Sequence, residues 1–322
     1  GRAALEAMRA EARPADVIHG HDWQAGPALL SLRHRYAGDP LLGGAATMLT
    51  CHNLAYHGWT RRADAWQLDL PESVGTHDGV DLLREAIATA DMVNTVSPNY
   101  ARESLTPEYG SGLEDVLRDR GDDYIGIING IDTELWDPAT DPTLAVPYDA
   151  TDPAPKVRTK VELMERHGLD PDGPLLGVIG RLDPQKGFDL VTGAAPELVA
   201  LGARLIVLGT GHERLVAGLV KLAARHPDRI AVLERFDRDE ARRIYAGSDL
   251  FLMPSRFEPC GQGQLIAMRY ATPPVVRRSG GLADTVIDAD DDPRQGNGFV
   301  FGPAEPEALT AAVRRALAAM AD

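Results

Sequence analysis

The residues best suited to chemistry gather between 249 and 284, in DLFLMPSRFEPCGQGQLIAMRYATPPVVRRSGGLAD. The stretch reads as strand, loop, helix, strand, loop. Residues 250–254 are a short apolar run of buried-strand type, and 264–271 carry Leu265, Ile266, Met268 and Arg269 at helical spacing. Residues 274–276 are a second apolar run, broken by Gly280-Gly281. Arg256, Glu258, Cys260, Gly261 and Gly263 fall in the first loop, at the carboxyl end of a strand. Parallel α/β sheets place ligands there. The two glycines let backbone N–H groups approach a ligand, and the helix start that follows suits an anion. Glu258 is a poor phosphate ligand. It is better matched to sugar hydroxyls or to positive charge that develops during a reaction.

A second cluster is Gly180-Arg181-Leu182-Asp183-Pro184-Gln185-Lys186-Gly187, after a strand and before a helix. Arg181 and Lys186 flank an Asp-Pro turn, so both cations can close on a diphosphate. On spacing alone a solvated polar turn fits equally well. Neither GxxxxGK[ST] nor GxGxxG occurs here, so this is not a P-loop or a dinucleotide fingerprint. Gly280-Gly281, before a helix start, is a plain turn or a phosphate-binding pair of amides. Cys260 has a cation and a helix start nearby, as a reactive thiol needs, but no His-Asp partner arrangement. It is read as a ligand contact rather than a nucleophile.

In the first half, Asp22 lies in HGHDWQ and His52 in TCHNLAY, each just after a strand. A lone histidine in such a place is commonly a hydrogen-bonded structural residue. His57 is close by, but no third ligand arrives at metal spacing, so no metal is expected. Asn129 begins an Asn-Gly turn, a generic signal. Phe236, in LERFDRDE, is a core aromatic or a stacking one, and Trp23 is equally open.

These residues need elements to hold them. Strands are read at 16–19, 46–51, 92–96 and 124–128, and then at 175–179, 204–208, 230–233, 250–254, 274–276 and 299–301, with helices between. Residues 57–80 show no period and read as a functional excursion. Strand–helix alternation means mostly parallel sheets, hence an α/β protein of two domains. The divisions are 1–135, a linker at 136–155 carrying five prolines, and 156–322.

Composition narrows the function. The chain has 322 residues, 44% hydrophobic and 25% charged, which is globular. Its net charge of −15 argues against a nucleic-acid partner. Two cysteines far apart suit a reducing cytoplasm. No apolar run approaches ~18 residues, so no membrane partner is expected.

SRFEPCG followed by VVRRSGGLADTV closely resembles the bacterial glycogen and starch synthases, retaining glycosyltransferases of the GT-B fold. The resemblance runs from about Asp16 to Met320 and includes INGIDTELWDP, similar to the family's domain-junction motif. It implies two Rossmann-like domains: a partial acceptor domain first and a nucleotide-sugar-binding domain second. It implies transfer of glucose from ADP-glucose to the non-reducing end of an α-1,4-glucan, with no further cofactor. Arg181 and Lys186 match the cations that hold the donor phosphates, and His52 a histidine that contacts the transferred glucose. Asp22 and Asn129 match residues of the active-site cleft. Phe236 matches a base-stacking aromatic, and Cys260, Gly261, Gly263, Gly280 and Gly281 match donor-loop positions.

The chain departs from the pattern at Gln262-Gly263, where the family commonly has Leu-Thr. Ile266 stands where other retaining GT-B groups carry a ribose-holding glutamate, which points away from them. The family's Lys-x-Gly-Gly-Leu segment has no counterpart, so the first domain is expected to be incomplete and catalysis weak in the chain alone. The alternatives are a non-catalytic nucleotide- and glucan-binding fragment, or a related transferase with a small acceptor.

Overall fold

The computed structural model describes residues 1–320. The chain forms two compact units, Gly1–Ile128 and Asn129–Asp322.

In the first unit, α1 (Arg2–Ala10), β1 (Val17–His21), α2 (Asp22–His34) and β2 (Ala46–Cys51) are followed by an antiparallel pair, β3 (Trp59–Arg61) and β4 (Gly79–Asp81). Then come α3 (Leu82–Thr89), β5 (Met92–Thr95), α4 (Pro98–Glu103), α5 (Glu114–Arg118) and β6 (Tyr124–Gly126). Local chemistry sets the helix starts. The Asp81 carboxylate accepts from the Arg84 amide at 3.0 Å, and the Ser97 hydroxyl accepts from the Tyr100 amide at 2.8 Å, with Pro98 following. The parallel sheet runs β1-β2-β5-β6, in chain order. The excursion at 57–80 is not irregular: it holds the β3–β4 pair and a 3₁₀ helix, Arg62–Leu68.

The second unit contains α6 (Lys156–Arg166), β7 (Leu175–Ile179), α7 (Phe188–Ala200), β8 (Arg204–Leu208), α8 (Glu213–Arg225), β9 (Ile230–Leu233) and α9 (Arg238–Gly247). β10 (Leu250–Met253), α10 (Gly263–Arg269), β11 (Pro274–Arg277), α11 (Gly280–Thr285), β12 (Phe299–Phe301) and α12 (Pro306–Ala319) complete it. Its parallel sheet has the order β12-β11-β10-β7-β8-β9. The chain winds outward from β7 to β9, returns beside β7 as β10, and winds outward the other way. The reversal between β7 and β10 is the topological switch point, where such sheets open a crevice.

Both faces of this sheet are covered, which is why its strands are near-continuous apolar runs, with arginines only at the ends of β8 and β11, rather than alternating ones. Leu176, Val207, Leu252 and Phe188 sit in its largest core. Each such side chain contributes about 1.5–3 kcal/mol by leaving water, and Leu252→Ala costs about 2–5 kcal/mol.

The proline-rich stretch 136–155, read as a linker, is packed onto the second unit. Leu144 and Tyr148 are buried in one core cluster with Phe251 and Tyr270. The Tyr148 hydroxyl donates to the Tyr270 carbonyl at 2.9 Å. The Lys156 ammonium donates to the Ala246 carbonyl at 2.6 Å and to the Thr272 hydroxyl at 2.6 Å.

Candidate active site

At the switch point the second unit encloses a cavity of about 550 Å³. The ends of β7, β8 and β9 supply Arg181, Thr210 and Phe236, and the start of α10 supplies Gly263 and Ile266. Phe236 is 81% exposed, which excludes the core role. Its ring lies at the cavity wall with the Arg238 guanidinium 6.0 Å from its centroid. Ile266 gives this wall an apolar face. The Arg181 side chain is 59% exposed and lies 3.3 Å from the Asp183 carboxylate.

Lys186 and Glu258 meet. The Lys186 ammonium donates to the Glu258 carboxylate at 2.6 Å, and the Ser255 hydroxyl donates to the same oxygen at 3.0 Å. Glu258 is buried. A charge there needs such partners, because burial of an unpaired carboxylate is costly. The turn that presents Lys186 is built by Asp183, whose carboxylate accepts from the Lys186 amide at 3.1 Å. Gly187 closes it at φ +70, where a side chain would run into the Pro254 carbonyl.

The Gly280-Gly281 pair packs against the Glu258 loop. The Gly281 amide donates to the Glu258 carbonyl at 3.0 Å. Gly280 has φ +45, and a Cβ there would strike the same carbonyl oxygen. These glycines let α11 pack directly against the Glu258–Cys260 loop, so they hold Glu258 in place. Gly261 is also left-handed, at φ +71. Cys260 is buried, and burial pushes its thiol above the ordinary value. Glu258 and Asp284 add to that shift, and a hydrogen bond from the Asn129 backbone amide opposes it. A thiol in this setting is a poor nucleophile. Asn129 is thus tied to the loop by its backbone, and Gln262 reaches the same turn by donating to the Gly130 carbonyl at 3.1 Å.

In the first unit, Asp22 and His52 also come together. The Asp22 carboxylate accepts from the His52 amide at 2.7 Å. Asp22 adopts φ +55, a left-handed conformation that Asp tolerates better than most residues. The His52 ring is hydrogen-bonded through Nε2 to His21 Nδ1 at 3.0 Å, and His19 lies against His21 with centroids 4.4 Å apart. Burial, then the nearby His21 and His52, push His19 below its ordinary value. Trp23 is partly buried and packs with Leu30 and Val80. His21 was not singled out in the sequence, although the doubled histidine of HGHDWQ is its signal. Among the described residues, no group of three or more His, Cys, Asp or Glu is placed to hold a metal ion. Nor is any helix there long and apolar enough to cross a membrane.

Two family models match the chain: the starch synthase catalytic domain over residues 1–119, and glycosyl transferases group 1 over residues 159–319. A glycogen synthase of Alkalilimnicola ehrlichii is 46% identical over 327 residues, covering 98% of this chain and 67% of that protein. The chain belongs to the glycogen synthase family. A glycogen synthase of Anaeromyxobacter dehalogenans is 45% identical, with 98% of this chain and 68% of that protein covered. Among solved structures, the catalytic domain of starch synthase IV from Arabidopsis thaliana, bound to ADP and acarbose, superposes with a TM-score of 0.91. It is 37% identical and covers 99% of this chain, which covers 68% of it. Sucrose-phosphate synthase from Thermosynechococcus elongatus, at 21% identity, a TM-score of 0.61 and coverage of 94% and 64%, shares the fold. The chain spans about two thirds of the length of its glycogen synthase relatives. As a family member it is a GT-B hexosyltransferase, a glucosyltransferase of glycogen and starch synthesis.

Proposed function

We propose that the donor is ADP-glucose, that the acceptor is the non-reducing end of an α-1,4-glucan, and that the new bond retains the α configuration. The observation that carries this reading is the switch-point cavity, with an exposed aromatic at its wall and the Lys186–Glu258 pair in the neighbouring loops. The starch synthase IV structure, bound to ADP and acarbose, supports a nucleotide and a glucan as ligands.

In this reading Phe236 stacks on the base. Arg181 and Lys186 stabilise the diphosphate as it leaves, an electrostatic role that needs no proton transfer. Glu258 already faces an ammonium and a hydroxyl. That environment suits holding sugar hydroxyls and developing positive charge more than attack on carbon. His52 serves the transferred glucose from a loop that Asp22 shapes, and the Glu258 loop, kept in place by Gly280 and Gly281, serves the donor.

The test is glucose transfer to maltooligosaccharide from ADP-glucose and from UDP-glucose, with the product anomer read by NMR. Faster transfer from ADP-glucose with an α-1,4 product is expected. A β product, or a preference for UDP-glucose, would overturn the corresponding part. Calorimetric titration of ADP accompanies it, and a folded chain that neither binds ADP nor transfers glucose would overturn the whole.

A further inference from the structure

The cavity has a second, deeper wall. It comes from the packed 129–148 stretch and the inner face of α9. Arg238 and Arg242 stand one helical turn apart and share a face. Arg238 is exposed beside Phe236, whereas the Arg242 side chain is only 14% exposed. Arg242 lies over the Trp136 ring, 5.3 Å from its centroid. Trp136 in turn meets Tyr245 edge-on at 6.0 Å. All three line the cavity.

Asp141 holds Arg242 in this position, 3.4 Å from its guanidinium, with no exposure of the Asp141 side chain. Asp141 is itself fixed by the Tyr270 hydroxyl and by the Thr143 amide at 2.9 Å. Among the described residues, the Arg242 guanidinium donates to Asp141 alone. Guanidinium has further N–H groups in a planar fork and accepts nothing. An apolar hollow with aromatic walls and one enclosed, donor-only cation suits a flat heteroaromatic ring that carries an acceptor on its edge.

We infer that Arg242, held by Asp141 and Trp136, recognises the base of the nucleotide by donating to an acceptor on the ring edge. This rests on the nucleotide-sugar reading above. It gives the proline-rich stretch a role in specificity, because Asp141 and Trp136 both belong to it.

The experiment is calorimetric titration of the 322-residue chain with ADP and, separately, with inorganic pyrophosphate, which has no base. Arg242→Leu is expected to weaken ADP about tenfold, the weight of a hydrogen bond to a charged group, and to leave pyrophosphate unchanged. Asp141→Asn keeps the shape and is expected to weaken ADP selectively but less. Thermal melting checks that each variant folds. If Arg242→Leu does not fold, Arg242→Lys keeps the charge without the planar fork and is expected to show the same selective loss. A folded Arg242 variant that binds ADP as the wild type does overturns the inference. Equal weakening of ADP and pyrophosphate overturns it too, since that marks a structural or general electrostatic role. Wild-type binding of pyrophosphate but not ADP excludes base recognition. Wild-type binding of neither removes the nucleotide reading itself.

Discussion

The two units hold their candidate residues in different ways. The first sheet runs β1-β2-β5-β6 in chain order, with no reversal. Its residues Asp22 and His52 are fixed by hydrogen bonds between neighbouring strand ends. The second sheet reverses between β7 and β10, and its residues surround a hollow at that point. The carboxylates differ accordingly. Asp22 accepts from a backbone amide and so shapes a loop, whereas Glu258 faces a lysine and a serine and is held by glycines behind it. A strand-end carboxylate is therefore not by itself a chemical group. What faces it decides whether it builds the loop or acts from it.

Lys186→Ala tests this contrast most severely. On the proposed reading it removes a charge that steadies the leaving diphosphate, and transfer is expected to fall roughly a hundredfold or more. It also leaves Glu258 buried beside Ser255 alone, so a companion Lys186→Ala/Glu258→Gln variant should recover stability without recovering turnover. Transfer near the wild-type rate in a folded Lys186→Ala protein would remove Lys186 from the chemistry.

Asp22→Ala comes next. Losing the acceptor for the His52 amide is expected to destabilise by about 1–3 kcal/mol, read by urea unfolding. Asp22→Asn keeps an oxygen and tolerates the left-handed backbone, so it should recover most of this. If Asp22→Ala leaves stability intact while abolishing transfer, Asp22 is chemical and the contrast between the two carboxylates collapses.

Much of the fold was legible because the second sheet is buried on both faces. Its strands at 175–179, 204–208, 230–233 and 299–301 are apolar runs, Arg204 aside, and the structure has them at the same residues. The β3–β4 pair was not legible, since three-residue strands show no period. The docking of 136–155 was hidden for another reason. Leu144 and Tyr148 stand singly among prolines, and nothing local signals that both are buried. At the site, the meeting of Lys186 with Glu258 joins residues 72 positions apart, which no local pattern signals. Phe236 could be placed only by its exposure, and Trp136 and Arg242 reach one cavity from segments over a hundred residues apart. The Gly280-Gly281 signal marks a close approach: the Gly281 amide donates to the Glu258 carbonyl, and a side chain at Gly280 would strike it.

Lys156 sharpens the picture of the second unit, because it anchors the stretch that walls the cavity. Burial pushes its ammonium down to about 7, with Lys160 adding to the shift and Asp249 opposing it. Because the folded value lies below the unfolded one, the unfolded chain holds more protons between about pH 7 and 10. Stability therefore rises with pH across that window, by up to about 1.4 kcal/mol per unit from this group. Lys156→Met should flatten the rise in urea unfolding at pH 7 and 9.5. An unchanged slope in that variant would sink the assignment.

Phe236→Ala has the smallest expected effect on the fold and the clearest bearing on the cavity. The ring is exposed and packs little, so stability should change by no more than about 0.5 kcal/mol. Base stacking on an aromatic ring is worth about 1–3 kcal/mol, so ADP affinity should fall roughly tenfold or more while pyrophosphate binding holds. The outcome separates a surface ring that merely borders the cavity from one that a nucleotide uses. Together with Arg242 it also orders the two walls: Phe236 contributes area to any base, whereas Arg242 donates to an acceptor in a particular place. Phe236→Ala should therefore weaken ADP and UDP alike, and Arg242→Leu should weaken them unequally. Equal losses from Arg242→Leu for both nucleotides would mean that the deep wall reads no base edge.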